Sequence, residues 1–308
     1  MSAAIDGNAV LYSAIGNARE ASVLARRLRI ALTDQASLWN HPAIINAGDV
    51  TGSGSTVLAV PFADLGGSSR MAAVAENGVP AITAVTDTQA TITIARQALH
   101  RQITDLANMT DSVGLDIEAL VNDMAASASM RFTELVCNLL DNFSSVVGST
   151  TVDLDADNFF SAQFTLTQAS VPGPYLCVLY PVQLTDLQNS LRGEAGALQF
   201  KDDVGDALNI KAQGFAGSLN GVPLFASSLV PTMTTGADSG GAMFGVGALG
   251  YAEGRVVKTI DGTRVDFGPV HVGIERDEAG AYQNVVGNYY VGVSELEDSR
   301  GVTIRTDR

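Results

Sequence analysis

Between Gly114 and Gly148 the chain has neither proline nor glycine, and no other stretch restricts the possible folds as strongly. Within "SVGLDIEALVNDMAASASMRFTELVCNLLDNFSSVVG", Ile117, Leu120, Val121, Met124, Ala128, Phe132, Leu135, Leu139 and Phe143 recur at three- and four-residue intervals. That spacing lines one face of a helix with apolar side chains. At about 1.5 Å per residue, a helix over 112–147 would reach roughly 50 Å, far beyond the usual run of about 11–12 residues. The e and g positions lack the charges of a coiled coil. The expectation is therefore a single strut crossing one domain.

The elements around this strut are unlike it. Residues 8–39 carry a helical pattern interrupted at Gly16, and Pro42 and "NAGDVTGSGST" follow as a turn-rich linker. "TVLAVPF", Thr56 to Phe62, reads as a strand. "TDTQATITIARQ" alternates, with Ala90, Ile92 and Ile94 on one face and Thr91 and Thr93 on the other. Between them lies a Gly-containing excursion, which makes an extended two-stranded arm. Such a hairpin is marginal alone in water, so it needs another surface to lie on. Beyond residue 151, "DADNFFSAQFTLTQAS" reads as helix, "PYLCVLY" as a buried strand, and "PVQLTDLQNSLR" as a helix with Pro181 in its first turn. "GVPLFASSLV" is another strand, and 232–250 reads as a glycine-rich loop. The end is β-rich: "RVVKTI", "PVHVGIER", "AYQNVVGNYYVGVS" and "VTIRT" are separated by turns. Helical and strand segments are segregated rather than alternating, which points to an α+β fold.

No catalytic signature accompanies these elements. "GVGALG", Gly245 to Gly250, has the G-x-G-x-x-G spacing of a dinucleotide-binding turn. It is preceded by polar, glycine-rich sequence instead of a hydrophobic strand, and Gly254 breaks any helix after it. Asp266, sixteen residues on, sits in a strand-like context. "GDVTGSGST" lacks the lysine of a phosphate-binding loop. "DLDAD", Asp153 to Asp157, lacks the glycine and distal glutamate of a calcium loop and fits a helix N-cap. His41, His100 (after a strand) and His271 (within one) are isolated, and neither H-E-x-x-H nor G-x-S-x-G occurs. Catalytic, cofactor-binding and metal-ligating residues are all expected to be absent, although a site assembled from scattered residues leaves no such signature.

Composition narrows the partners. At −15, with three lysines among 18 basic residues (leaving fifteen arginines), the chain has no overall basic face for nucleic acid. The nearest to a basic patch is Arg19, Arg26, Arg27 and Arg29, which reads as a solvated helix face or a site for an acidic partner. Charged residues make up only 17% of the 308, which suits surfaces covered by other copies of the chain. Cys137 and Cys177 fit buried thiols in a reducing cytoplasm. The N-terminus lacks the basic region of a secretory signal, and no apolar run approaches the roughly 20 residues of a membrane helix.

The order of parts resembles the major capsid proteins of tailed bacteriophages, the Hong Kong 97 fold also used by encapsulin shells. "STVLAVPF" and "AENGVPAITAVTDTQATITIARQALHRQITDLA" look like that family's extended loop running into its spine helix, and 112–147 look like the spine. "PYLCVLYPVQLTDLQNSL" is similar to its axial domain, and "GVPLFASSLVPTMTTGADSGGAMFGVGALGYAEG" to the segment returning to the peripheral domain. The resemblance implies an N-terminal helical arm (1–49), an extended two-stranded loop (50–95), the spine-helix part of a peripheral domain (96–150), a mixed α/β axial domain (151–235), and a return segment with the peripheral β-sheet (236–308). It implies hexamers and pentamers closing an icosahedral head around double-stranded DNA, in a virion made in the bacterial host's cytoplasm. Scaffolding, portal and decoration proteins would be partners, no cofactor or membrane would be involved, and DNA would be touched only loosely, an acidic subunit letting it slide. The resemblance also places "GVGALG" on the return path, where small residues permit turns and close packing. Arg70 and Glu76 in the extended loop are the expected inter-subunit ion-pair residues. No charged coiled-coil segment precedes the arm, so the scaffold is a separate protein, has been removed by processing, or is replaced by the N-terminal helix. An encapsulin-type compartment, or a soluble α+β enzyme with 63–90 as a lid, are the alternatives.

Some members of that family join neighbours covalently through a lysine on the extended loop, and residues 50–95 contain none. Assembled particles boiled in denaturant should therefore run as the 32.0 kDa monomer; a high-mass ladder would contradict this.

Overall fold

In a computed structural model of the chain, the described residues are 38, 41–50, 55–64, 73, 74, 76, 78, 86–105, 117–193, 200–201, 215–232, 238–260, 263–266, 269–277 and 279–307. In chain order the strands and helices are β1 (Ile44–Asp49), β2 (Val57–Asp64), β3 (Thr86–Thr93), β4 (Ala95–Thr104), α1 (Ile117–Cys137), β5 (Val146–Ser149), α2 (Ala156–Gln168), β6 (Leu176–Leu179), α3 (Pro181–Gly193) and β7 (Phe200–Lys201). Then follow β8 (Phe215–Leu219), β9 (Val222–Ala226), β10 (Asp238–Phe244), β11 (Leu249–Glu253), β12 (Val257–Ile260), β13 (Thr263–Asp266), β14 (Val270–Asp277), β15 (Tyr282–Glu295) and β16 (Gly301–Asp307). The α+β class expected from the sequence holds.

The strands form two large sheets and two separate hairpins. The five-stranded sheet is built on β15: β14 pairs along one edge, while β4 opposite 282–291 and β11 opposite 291–295 share the other, with β1 parallel to β11 beyond. The seven-stranded sheet has the order β5-β16-β10-β6-β9-β8-β7. A domain boundary at 235 runs through this sheet, because β10 and β16, from beyond that point, pair into its centre.

β6 is buried throughout, as a central strand covered on both faces must be. Its residues alternate between two cores. Cys177 and Leu179 face α2 and α3 through Phe159, Leu166 and Leu187. Leu176 and Val178 face a larger core with Phe132, Val136 and Phe143. That larger core also contains Leu249, Tyr251, Val270, Val285 and Tyr289 of the five-stranded sheet, so the two sheets share one apolar interior. Asp155 caps α2, accepting from the Asn158 amide at 2.7 Å, and Pro181 opens α3, both as the sequence indicated.

Two expectations are corrected. α1 has 21 residues, about 31 Å rather than roughly 50 Å, and 112–116 lie outside the described residues. After Cys137 the chain turns, with the Leu139, Leu140 and Asn142 amides each bonding three residues back. Tertiary contacts explain the turn: Leu140 and Phe143 become buried, the Leu140 carbonyl accepts from Thr303 Oγ1 at 2.7 Å, and Asp141 pairs with Arg305 at 3.1 Å. Likewise 232–250 is not one glycine-rich loop, since β10 and β11 occupy much of it. Glycine in β10 marks close packing: a Cβ on Gly241 would lie 2.7 Å from the Val178 carbonyl oxygen. The N-terminal helical pattern of 8–37 and its arginines fall outside the described residues.

Gln183 ties the seven-stranded sheet to α3. Fully buried, it accepts from the Tyr180 amide at 2.9 Å and donates to Thr306 Oγ1 at 2.7 Å, the Ser239 carbonyl at 3.1 Å and the Ile304 carbonyl at 3.3 Å. Gln183→Leu keeps the volume but strands these partners, and should cost about 2–4 kcal/mol of folding stability. Thr185→Ala, at an exposed neighbour, should stay within about 0.5 kcal/mol. Urea denaturation of the soluble subunit measures both.

Candidate functional site

The glycines of "GVGALG" belong to a crossing between the two sheets. The chain passes from β10 to β11 through 245–248 and returns from β15 to β16 through 296–300, and the two crossings lie side by side. Ala248's carbonyl accepts from the Leu296 amide at 2.8 Å, and the Arg300 carbonyl from the Gly245 amide at 3.0 Å. Each glycine answers a steric demand. A Cβ on Gly245 would lie 2.5 Å from Val171 Cγ1, and one on Gly250 2.5 Å from Leu296 Cδ1. Gly247, with φ +88°, would meet Arg300 Nη1 at 2.7 Å. The space beside these glycines is filled by Val171 and Pro172, before β6, and by Leu296 and Arg300 of the returning chain.

Polar contacts fix the return crossing. Arg300 donates to the Val246 carbonyl at 2.9 Å and pairs with Glu297. Asp298 accepts from the Ser144 amide at 2.7 Å and from its hydroxyl, tying the crossing to the turn after α1. Burial disfavours the Asp298 carboxylate, but the Ser144 donors and Glu295 outweigh it and hold its pKa below the ordinary value. Burial and the nearby Asp298 charge push Glu295 the other way.

Among the described residues no cluster of three or more His, Cys, Asp or Glu could hold a metal. His41 Nδ1 accepts from the Ala43 amide at 3.2 Å, and its ring meets Phe225 edge-on. His100 lies within β4 rather than after a strand, and His271 lies in β14. Both cysteines are buried free thiols, Cys137 being pushed up to about 12 by burial, with the Glu134 charge adding and a Ser227 hydrogen bond opposing. No described helix is long and apolar enough to cross a membrane.

Elsewhere the described residues leave large apolar side chains exposed. Among the described residues β2–β3 and β12–β13 are two-stranded sheets with no third strand. β2–β3 is anchored, among the described residues, at its base, where Ile92 and Ile94 pack with Ala252, Tyr290 and Leu296. Met130 on α1 and Phe164 on α2 are 60% and 66% exposed. Between α1 and the five-stranded sheet runs a groove of about 230 Å³, lined by Leu99, Met124, Ser127, Ala128, Arg131 and Tyr289. Of the sequence-predicted contact residues, Glu76 is exposed in a turn beyond the hairpin ladder, and Arg70 lies outside the described residues. Sequence reasoning missed the groove because its walls come from segments far apart in the chain.

No family profile matches the sequence, nor does any curated relative. Solved structures do. The capsid of Cyanophage P-SCSP1u aligns over 89% of this chain and 89% of its own, with TM-score 0.60 and 13% identity. The capsid of Ralstonia phage GP4 aligns over 86% of both chains, with TM-score 0.62 and 12% identity. The chain has the fold of phage capsid subunits. A holo-SrpI encapsulin from Synechococcus elongatus is also similar, over 82% of both chains, with TM-score 0.56 and 11% identity. These likenesses cover most of the chain, not a single motif.

If the crossing glycines serve packing, Gly245→Val should destabilise the subunit by about 3 kcal/mol. Nicotinamide dinucleotides should give no binding heat with the unaltered chain. A thermal melt and a calorimetric titration test the two halves of this statement.

Proposed function

We propose that this chain is the major capsid protein of a tailed bacteriophage, a structural subunit that self-assembles into a shell around double-stranded DNA. The observation that carries this reading is the capsid likeness over 86–89% of the chain, in a molecule whose β2–β3 hairpin has no core of its own. In this reading the five-stranded sheet with α1 is the peripheral domain. The seven-stranded sheet with α2 and α3 is the axial domain, with β10 and β16 included. The hairpins β2–β3 and β12–β13 reach across neighbours.

The reading is of a Hong Kong 97-type shell built from hexamers and pentamers. The subunit's role is structural rather than enzymatic. A net charge of −15 supports an inner surface that repels packaged DNA and binds it only loosely. Scaffolding, portal and decoration proteins complete the set of partners, and the subunit is made in the host cytoplasm before entering the virion.

The encapsulin likeness supports a second reading, a cellular compartment built on the same fold. Contents separate the two: nucleic acid in purified particles favours the phage head, and packaged protein the compartment.

Expression of the chain alone, followed by negative-stain electron microscopy, tests self-assembly. Closed shells, tubes or hexameric rosettes are the expected outcome. Small compact particles at every concentration, persisting with a co-expressed scaffold, would overturn it.

A further inference from the structure

One turn of the seven-stranded sheet is chemically reactive as well as structural. β8 and β9 pair as far as Leu219↔Val222, so Asn220 and Gly221 alone make the turn, with φ 50° and 78°. Both values are left-handed, as a two-residue hairpin turn of this kind requires, and Asn-Gly is the pair that adopts them most readily. Both residues are exposed.

Asn-Gly is also the pair most open to attack on itself, because glycine puts no side chain in the way of its own amide. The Gly221 nitrogen can bond to the Asn220 side-chain carbonyl carbon and close a five-membered imide. The bond from that carbon to Nδ2 breaks, and the departing nitrogen takes up the Gly221 amide proton and leaves as ammonia. Water then opens the ring at either carbonyl, giving aspartate or isoaspartate.

The structure opposes the first step. Asn220 Nδ2 donates to Gln163 Oε1 of α2 at 2.9 Å, and Gln163 Nε2 approaches the Asn220 carbonyl oxygen at 3.5 Å. α2 is anchored through buried Phe159, Ala162 and Leu166, so Gln163 holds its place. The carboxamide must break free of it before it can swing onto the Gly221 nitrogen. Conversion would be costly here. Isoaspartate routes the backbone through the side-chain methylene, lengthening a turn whose neighbours Leu219 and Val222 are buried in the core under α2 and α3. Either product also sets a carboxylate where Gln163 Oε1 now meets a donor.

We propose that Gln163 guards the β8–β9 turn against this conversion, by holding the Asn220 carboxamide away from the Gly221 amide. The guard is a property of the single subunit and does not depend on the shell reading.

The chain carries its own reference, because Asn-Gly-Val-Pro occurs twice, at 77–80 and at 220–223. Folded subunit is kept in warm, mildly alkaline buffer, where loss of the amide proton speeds the attack. Peptide mapping with an isoaspartate assay follows each asparagine, and chain unfolded in guanidinium chloride supplies the unguarded rate. Gln163→Ala should speed conversion of Asn220 in the folded chain roughly two- to tenfold, the rate equivalent of one net hydrogen bond, and leave Asn77 unchanged. Gln163→Glu, which keeps an oxygen to accept from Nδ2, should retain most of the protection. An unchanged Asn220 rate in Gln163→Ala, or an equal rise at Asn77, overturns the guard. So does an Asn220 that converts as fast in the folded chain as in the unfolded one.

Discussion

Phe143 stands where the two sheets meet, and much of the subunit depends on how that position is filled. Its ring lies against Phe244 at 6.4 Å and against the bare backbone of Gly301, where a Cβ would come within 2.2 Å. To reach that place the chain must leave α1 early and turn through Leu139 and Leu140. Burial of Phe143 and Leu140 outweighs the few hydrogen bonds that a longer helix would have gained, since a large buried apolar side chain stabilises by about 1.5–3 kcal/mol. Ser144, one residue on, is then in position for Asp298, which locks the return crossing to the same junction.

From that junction the two crossings acquire their composition. Val171 and Pro172, before β6, leave no room for a Cβ at Gly245, the Leu296 side chain of the returning chain leaves none at Gly250, and Gly247 needs a left-handed conformation. Glycines spaced like a phosphate-binding turn thus arise from a different cause. The same spacing can serve a ligand's pyrophosphate or the protein's own returning chain, and the neighbouring elements decide which.

The subunit's stability is distributed unevenly. The shared interior and the core under α2 and α3 are closed, with every residue of β6, β10 and β11 buried. Among the described residues β2–β3 is anchored at its base, and α1 keeps Met130 exposed and an open groove between itself and the five-stranded sheet. In the proposed shell, incomplete burial of this kind would be resolved by association between copies, because a second copy supplies the third surface that a two-stranded ribbon lacks. A chain with only 17% charged residues suits repeated lateral contact.

The sequence alone determined the kinds of element and most of their places. The alternation of Ile92 and Ile94, the buried run of β6, Pro181 at the start of α3, Asp155 as a cap and the terminal β-rich stretch are local signals that survive packing. The α+β class and the likeness to capsid subunits follow from their order. Tertiary structure decided what local pattern could not. It ended α1 at Cys137, because Leu140 and Thr303 meet only in the folded chain. It turned a glycine-rich stretch into two buried strands, because glycine signals a loop and close packing alike. It also assembled the groove at Arg131, whose walls lie far apart in sequence. Periodicity reports which face of an element is buried; what it is buried against is set by contacts between distant residues.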